Sequence, residues 1–401
     1  MSLDTQPVSL APEVPAEIPA RPFDNVWLEL ERRHGWRVEV AAYDNPRPAV
    51  SRMPFCFQDF DNRFAAEFRV RNRLDEVVAG AKSEWDAILK LRHWVFVQLV
   101  NGTDPAVPGL EPATLLAASR SGGTFFCTHF ATVFVAAAAA LGIPARKLAV
   151  DGEHLPTEAS NMHGVADVWV NELRKWVCVD PNYDHHYELD GVPLNAEEVG
   201  RRWQTHRGEG IVARVGPENR AVPRARTGIA GKPEACALFW HLIECRNDVF
   251  RRDGRGGKPP VVLPLDDARK RQRWYQGKPP KTFEHKRYAS GTFLFTEELA
   301  DAYPDLDAAH FEILPPHKMP YYGRVQFYTP CAPYFSHYEV RVDDGTPERI
   351  EGMEYPWRLH PGRCRFEVRT VSVMGRQGPA YSMALEITED AARQPGWPAR
   401  A

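Results

Sequence analysis

The feature that most constrains the fold is an uncharged segment, residues 127–144, which begins with a cysteine. It contains no Asp, Glu, Lys or Arg, and residues 134–140 are apolar at every position. A helix that is apolar on every face must be buried on all sides, and one of about 15 residues is too short to span a bilayer. Gly142 and Pro144 would end it. The sequence therefore predicts a central core helix with Cys127 at its N-terminal end.

Length and charge narrow the class of protein. The chain has 401 residues, more than one compact core usually holds, so we expect two or three domains. Its 50 basic and 53 acidic residues nearly cancel, so charge does not indicate a nucleic-acid or membrane-surface binder. No apolar run approaches the length of a membrane span, and residues 1–22 lack the basic and apolar regions of a signal peptide. We therefore expect a cytoplasmic protein with neither a nucleic-acid nor a membrane partner.

Cys127 occupies a position that suits a reactive thiolate. The N-terminus of a helix carries partial positive charge and unpaired N–H groups, which stabilise an anion. Gly122 and Gly123 allow the backbone just before it to approach a substrate closely. The seven cysteines are scattered and form no CxxC pair, so we expect a free thiol rather than a disulfide framework. The alternative is that Cys127 is a small buried core residue.

A nucleophilic thiol also needs a base, and the base needs an orienting carboxylate. His163 begins one β-rich segment and Asp180 ends the next, with a polar turn at 171–174 between them. A four-residue turn pairs Trp169 with Trp176 and makes the histidine and the aspartate diagonal neighbours on one face. A five-residue turn would place them on opposite faces unless a bulge compensated. Taken singly, the histidine also fits a structural role, and the aspartate fits a turn before proline.

Two stretches of the sequence, GGTFFCTHFATVFVAAAAALGIPAR and HGVADVWVNELRKWVCVDPNYD, contain the Cys, the His and the Asp in this order. They resemble the transglutaminase-like superfamily, and the resemblance covers about residues 80–205. The resemblance implies a papain-like α+β fold, in which a central Cys-bearing helix packs on an antiparallel sheet. It also implies that Cys127, His163 and Asp180 form a catalytic triad.

Patterns outside this stretch suggest further units. Residues 321–389 alternate between apolar and polar side chains, with turn signals such as Pro361-Gly362, which is typical of a β-sandwich. This segment is similar to a fibronectin type III-like sandwich. The full assignment is a flexible Pro-rich N-terminus at 1–22, a catalytic domain at 23–210, a loop- and strand-rich middle region of uncertain fold at 211–320, the sandwich at 321–390 and a tail at 391–401.

The chemistry expected from these residues is covalent catalysis on an amide. The Cys127 thiolate attacks the carbonyl, His163 carries the proton and Asp180 orients the imidazole. We expect hydrolysis of a peptide or isopeptide-like bond in a peptide or protein, because water is the default acceptor. One alternative is a transglutaminase that transfers the acyl group of a protein glutamine to an amine. Another is an inactive scaffold whose sandwich contacts protein or glycan. No metal or organic cofactor is expected.

Three polar clusters have simpler explanations than a second site. The Cys127-Thr128-His129 sequence lacks a second ligand pair at zinc spacing, which argues against a metal. The Asp184-His185-His186 sequence is interpreted as a polar loop at the rim of the cleft. The basic run at 269–273 is interpreted as a solvated face.

Overall fold

The structure is a computed structural model that describes residues 21–102, 110–152, 162–223, 238–250, 259–278, 292–315 and 322–390. The helices are α1 (Asp24–His34), α2 (Arg63–Arg71), α3 (Leu74–Val78), α4 (Glu84–Gln98), α5 (Pro112–Arg120), α6 (Cys127–Ala140), α7 (Ala196–His206), α8 (Ala268–Tyr275) and α9 (Leu299–Ala302). Within the described ranges, none of them has the length and apolar character needed to cross a bilayer.

The strands, in chain order, are β1 (Trp36–Asp44), β2 (Val100–Asn101), β3 (Thr124–Phe125), β4 (Ala145–Asp151), β5 (His163–Val170), β6 (Lys175–Asp180), β7 (His185–Leu189), β8 (Val192–Pro193), β9 (Ile211–Val215), β10 (Arg220–Pro223), β11 (Trp240–Glu244), β12 (Val261–Pro264), β13 (Phe293–Thr296), β14 (His310–Leu314), β15 (Tyr322–Tyr328), β16 (Phe335–Val342), β17 (Glu348–Ile350), β18 (Glu354–Arg358), β19 (Gly362–Ser372) and β20 (Tyr381–Glu389).

The core helix predicted from the uncharged segment is confirmed as α6. It begins at Cys127, and every residue from position 129 to its end is buried. It packs against α2, α4 and α5 on one side and against β4 and β5 on the other. Gly142 ends it in the left-handed conformation, with φ at 70°. Surrounding an all-apolar helix in this way is what its composition requires.

The strands next to α6 belong to one long sheet. Its described strands run in the order β10-β9-β7-β6-β5-β4-β11-β12-β13, with β8 attached to β7. All neighbours pair antiparallel except β12 and β13, which are parallel. The assignment of 211–320 to a separate middle region is therefore wrong, because β9 to β13 extend this sheet. The strands β11 and β12 are five and four residues long and fully buried, so they lack the alternation that reveals a strand.

A second β-rich region holds two antiparallel sheets around one core. The sheets have the orders β1-β20-β19-β16-β17 and β14-β15-β18. Their shared core includes Trp27 from α1, Trp357 from β18 and Phe366 from β19. We call this unit, which comprises α1, β1 and β14 to β20, the two-sheet region.

The boundaries predicted for this part of the chain differ from the structure. The segment 23–44, assigned to the catalytic domain, carries α1 and β1, and β1 pairs with β20. The predicted start at 321 is also late, because β14 pairs with β15. A strand whose partner lies about 350 residues away leaves no local signal of that pairing in the sequence.

The two-sheet region meets the long sheet at the turn that joins β5 to β6. Arg376, in the connection between β19 and β20, donates to the Trp169 carbonyl at 3.2 Å and pairs with Asp307 at 2.8 Å. The side-chain amide of Asn171 donates to the carbonyl of Gln377 at 3.0 Å. The turn is therefore fixed from outside the sheet that it belongs to.

Candidate active site

Cys127 is the first residue of α6, and it is partly exposed. The turn that leads into the helix is fixed by His129, a buried residue whose Nδ1 accepts the backbone N–H of Phe126 at 3.0 Å. A side chain at this third helical position often satisfies the backbone donor of the cap residue, although Glu or Gln is the usual choice. In the described part of the chain, no three His, Cys, Asp or Glu side chains are arranged to hold a metal ion. The imidazole of His129 accepts a backbone hydrogen bond at the start of α6.

His163 and Asp180 form a buried hydrogen-bonded pair. The histidine opens β5 and the aspartate ends β6, and 2.7 Å separates Nε2 from Oδ2. The second carboxylate oxygen, Oδ1, accepts the backbone N–H groups of Asn182 at 2.9 Å and Tyr183 at 3.1 Å. Both oxygens of Asp180 therefore have partners, which fixes the orientation of the carboxylate and, through it, of the imidazole.

The register that brings this pair together is the one predicted from the sequence. Trp169 pairs with Trp176, and the ladder continues without a bulge to the pair of Ala166 with Val179. The connection between the strands is a 3₁₀ turn, Asn171–Leu173, closed by Arg174 in the left-handed conformation. The four-residue turn is thus confirmed, and it places the histidine and the aspartate on one face.

The electrostatics favour a thiolate beside an imidazolium. Burial opposes ionisation of Cys127, but the hydrogen bond and charge of His163, together with the N–H of Gly164, lower the pKa of the thiol. Burial likewise opposes the charge on His163, yet the charge and hydrogen bond of Asp180 and the hydrogen bond to Cys127 raise its pKa to about 10. Burial disfavours the Asp180 anion too, but His163 keeps the pKa of that carboxyl low. The arrangement can therefore hold a nucleophile, a proton carrier and an orienting anion together.

Residues 71–181 match the family model of the transglutaminase-like superfamily. The matched segment starts at the last residue of α2, includes α6, β5 and β6, and ends one residue beyond Asp180. It therefore contains all three residues predicted from the sequence to form the triad. No curated protein sequence matches the chain.

Tyr183 lies just beyond the transglutaminase-like segment and covers its histidine. The ring centroids of Tyr183 and His163 are 5.3 Å apart. Burial, followed by the charges of Asp180 and Cys127, raises the pKa of the phenol, while a hydrogen bond with Asn101 opposes that shift. Sequence reasoning missed this residue, since a tyrosine three positions after the aspartate has no pattern that marks it.

The interpretation of residues 184–186 as a polar rim loop is wrong. All three are buried, and Asp184 accepts from Arg92 Nε at 2.8 Å and pairs with His93 Nδ1 at 2.7 Å. The guanidinium of Arg92 also contacts Nδ1 of His186 at 2.7 Å. These partners come from α4, about 90 residues earlier, so the local sequence gives no sign of the burial.

His185 lies behind the carboxylate of Asp180. Its Nδ1 is 3.8 Å from Asp180 Oδ2, beyond hydrogen-bonding distance. Complete burial lowers the pKa of His185 to about 4, despite the nearby carboxylate. The ring is therefore neutral near pH 7 and does not compete with His163 for the negative charge.

Proposed function

We propose that this chain is a cysteine-dependent hydrolase that cleaves an amide bond through a covalent acyl-enzyme. The observation that carries the proposal is the position of His163. It hydrogen-bonds Asp180 through Nε2 at 2.7 Å and interacts with Cys127, the first residue of a buried helix. The lowered pKa of the thiol and the raised pKa of the imidazole favour a thiolate beside an imidazolium. These are the charge states that a nucleophilic cysteine needs.

In the proposed reaction, Sγ of Cys127 attacks the carbonyl carbon of the amide and its electron pair moves onto the carbonyl oxygen. The backbone N–H of Cys127, at the positive end of α6, is a donor for that oxyanion. The proton on His163 passes to the leaving amine as the carbon–nitrogen bond breaks. Water then attacks the thioester, gives a proton to His163 and releases the acid, while the electron pair of the carbon–sulfur bond returns to Sγ. Asp180 stabilises the imidazolium whenever it forms.

The finer fold assignments belong to the same proposal. The α6 helix packed on β4 and β5 supports a papain-like arrangement of the catalytic part. The strand orders β14-β15-β18 and β17-β16-β19-β20 support a fibronectin type III-like sandwich, to which β1 adds an edge strand. Fold alone does not assign a partner to that region.

A thiol-labelling experiment tests the chemistry without a known substrate. The protein is treated with a chloroacetamide probe at pH 6, and labelled peptides are quantified by mass spectrometry. We expect Cys127 to react faster than Cys56, although Cys56 is the more exposed thiol. The reason is that reactivity follows the thiolate fraction rather than exposure alone. Replacing His163 with Ala should remove the advantage of Cys127.

Labelling of Cys127 no faster than Cys56 would contradict the proposed nucleophile and favour the scaffold interpretation. Hydrolysis and transfer are separated by adding a fluorescent primary amine and a glutamine-containing protein. Incorporation of the amine that depends on Cys127 would identify a transglutaminase. Release of a free acid without incorporation would support the hydrolase.

A further inference from the structure

The first residues of β5 and α6 approach each other unusually closely at Gly164. A Cβ atom at this position would lie 2.9 Å from both Cα and N of Thr128, and 3.2 Å from the carbonyl carbon of Cys127. These are backbone atoms of a helix that is packed on all sides, so they cannot move aside as a flexible side chain would. Only glycine allows this approach.

The approach places a backbone donor on the sulfur. The N–H of Gly164 donates to Sγ of Cys127 with an N···S distance of 3.1 Å. This donor is independent of His163, because it comes from the main chain and carries no proton that titrates near neutral pH. A hydrogen bond to the charged form of a group favours that form, and this one acts in the same direction as the imidazolium.

We propose that the backbone N–H of Gly164 is a catalytic group of the hydrolase, one that stabilises the sulfur anion both as nucleophile and as leaving group. The inference rests on the function proposed above. When the carbon–sulfur bond forms, negative charge leaves Sγ for the carbonyl oxygen and the hydrogen bond weakens. When water attacks the thioester, the carbon–sulfur bond breaks and its electron pair returns to Sγ. The N–H of Gly164 then donates to the sulfur anion again.

This role helps the second step and, at a pH below the pKa of the thiol, the first step as well. Lowering the pKa of a thiol reduces its nucleophilicity only fractionally, since the dependence is about half a log unit per pKa unit. The same change raises the thiolate fraction at neutral pH and makes sulfur a better leaving group from the thioester. A donor fixed in the backbone does this without reorganisation during the reaction.

The mutational test is Gly164→Ala. The added methyl group should push the start of β5 away from α6 and lengthen the hydrogen bond, so alkylation of Cys127 at pH 6 should slow about tenfold. Ala166→Gly is the matched control, because it loosens the same buried strand two residues further on without contacting the sulfur. Its alkylation rate should stay close to that of the wild type. Equal slowing in both variants would mean that strand loosening is responsible, and the proposal would fail.

A second measurement uses the unmutated protein, so it tests the proposal even if the Gly164→Ala variant does not fold. The protein is labelled with ¹⁵N-glycine, and the amide signals are followed from pH 4 to pH 9 by NMR. We expect the Gly164 signal to titrate with the same midpoint as alkylation of Cys127, and to lose that titration once Cys127 is alkylated. The amide of Gly123 is the internal control, because it donates to the Ala118 carbonyl at 3.0 Å.

The two proposals fail in different ways. A Gly164 amide that does not titrate with the thiol would overturn the role assigned to it, while selective labelling of Cys127 would still support the hydrolase. Absence of selective labelling would overturn the hydrolase. Titration of the Gly164 amide would then report a thiolate hydrogen bond without the proposed catalysis.

Discussion

The two carboxylate oxygens of Asp180 have different hydrogen-bond partners, and these partners determine the effect of replacing the residue with Asn. Oδ2 faces His163, and Oδ1 accepts two backbone N–H groups. Asp180→Asn keeps the shape but removes the anion that stabilises the imidazolium. If the proposed function holds, the variant should fold and its turnover should fall about 10⁴-fold, the loss typical of a catalytic triad without its carboxylate. The measurement is kcat on any substrate found by the amine and acid assays. Turnover within tenfold of the wild type would show that another group orients His163.

Replacing Asp184 is the matched comparison for Asp180, because we expect it to lower stability rather than turnover. It is the anion beside Arg92, whose side chain is fully buried. Asp184→Asn leaves that guanidinium without its charge partner, and breaking a buried pair in this way costs about 3–5 kcal/mol in the free energy of unfolding. We therefore expect a lower melting temperature and, in protein that is still folded, faster labelling at Cys127 than at Cys56. Unchanged stability would show that Arg92 finds another partner.

The pH dependence follows from the direction of each pKa shift. The pKa of Cys127 is lowered and that of His163 is raised to about 10, so the thiolate–imidazolium pair exists above the pKa of the thiol and below about pH 10. Stability contributed by the charged His163 is complete below its unfolded pKa near 6.5 and is lost as the pH rises through about 10. We expect kcat/KM to fall on the alkaline side near pH 10. In Asp180→Asn this limb should move to lower pH, because the carboxylate that raises the pKa is gone. An alkaline limb that stays in place would show that Asp180 does not raise the pKa of His163.

Individual residues also show how far sequence reasoning reaches. Cys127, His163 and Asp180 can be predicted because each stands at an element boundary with local signals around it. Tyr183 was missed because no sequence pattern marks it, and Arg92 because its partner Asp184 lies about 90 residues further along the chain. A side chain can be predicted when the residues around it in the sequence form a recognisable pattern, even if its partners in space lie elsewhere in the chain.

Among the elements, α6 begins with a cap formed by a histidine, a residue that is not the usual choice at this position and so could not be predicted from the sequence. The Nδ1 atom of His129 accepts the N–H of Phe126, the residue directly before Cys127. His129→Ala should lower the free energy of unfolding by about 1 kcal/mol or more and slow the labelling of Cys127, because the first turn loses its partner. His129→Gln, which can reach the same N–H, should recover most of both. Denaturant unfolding and probe labelling measure the two effects, and equal losses in both variants would mean that the cap does not position Cys127.

The elements that could be predicted are those with strong local patterns. The α6 helix has an uncharged run between a cysteine and a glycine, and the β5–β6 hairpin has two β-rich segments that flank a polar turn. The strands β11 to β13 were missed because they are short, and β1 because its partner is the distant β20. Burial on both faces removes the alternation, and long-range pairing leaves no trace in a sequence window.

For the molecule as a whole, Arg376 links the two-sheet region to the β5–β6 hairpin. It contacts Glu84 at the start of α4, Asp307 and the Trp169 carbonyl. Burial raises the pKa of both carboxyls, and Arg376 opposes that effect in each. Arg376→Gln should therefore lower the free energy of unfolding by about 3–5 kcal/mol and slow the labelling of Cys127, because the β5–β6 turn loses an external contact.

The control for this variant is Arg349→Gln in the same region. Arg349 and Glu351 form an exposed pair at 3.2 Å, and such pairs contribute about 0–1 kcal/mol. Calorimetry and probe labelling on both variants give the comparison. If Arg376→Gln lowers stability but leaves the labelling rate unchanged, the two-sheet region supports the fold and not the geometry of the site.

The pairing of β1 with β20 has a consequence for biosynthesis. The ribosome makes Trp36 about 350 residues before its partner in β20. At about 5–20 residues per second, that interval is tens of seconds. The described strands of the long sheet have all been synthesised by Thr296, so the sheet can assemble while Trp27 and Trp36 still lack the core that buries them. Until β20 has been made, this N-terminal stretch therefore exposes apolar side chains that the folded protein buries.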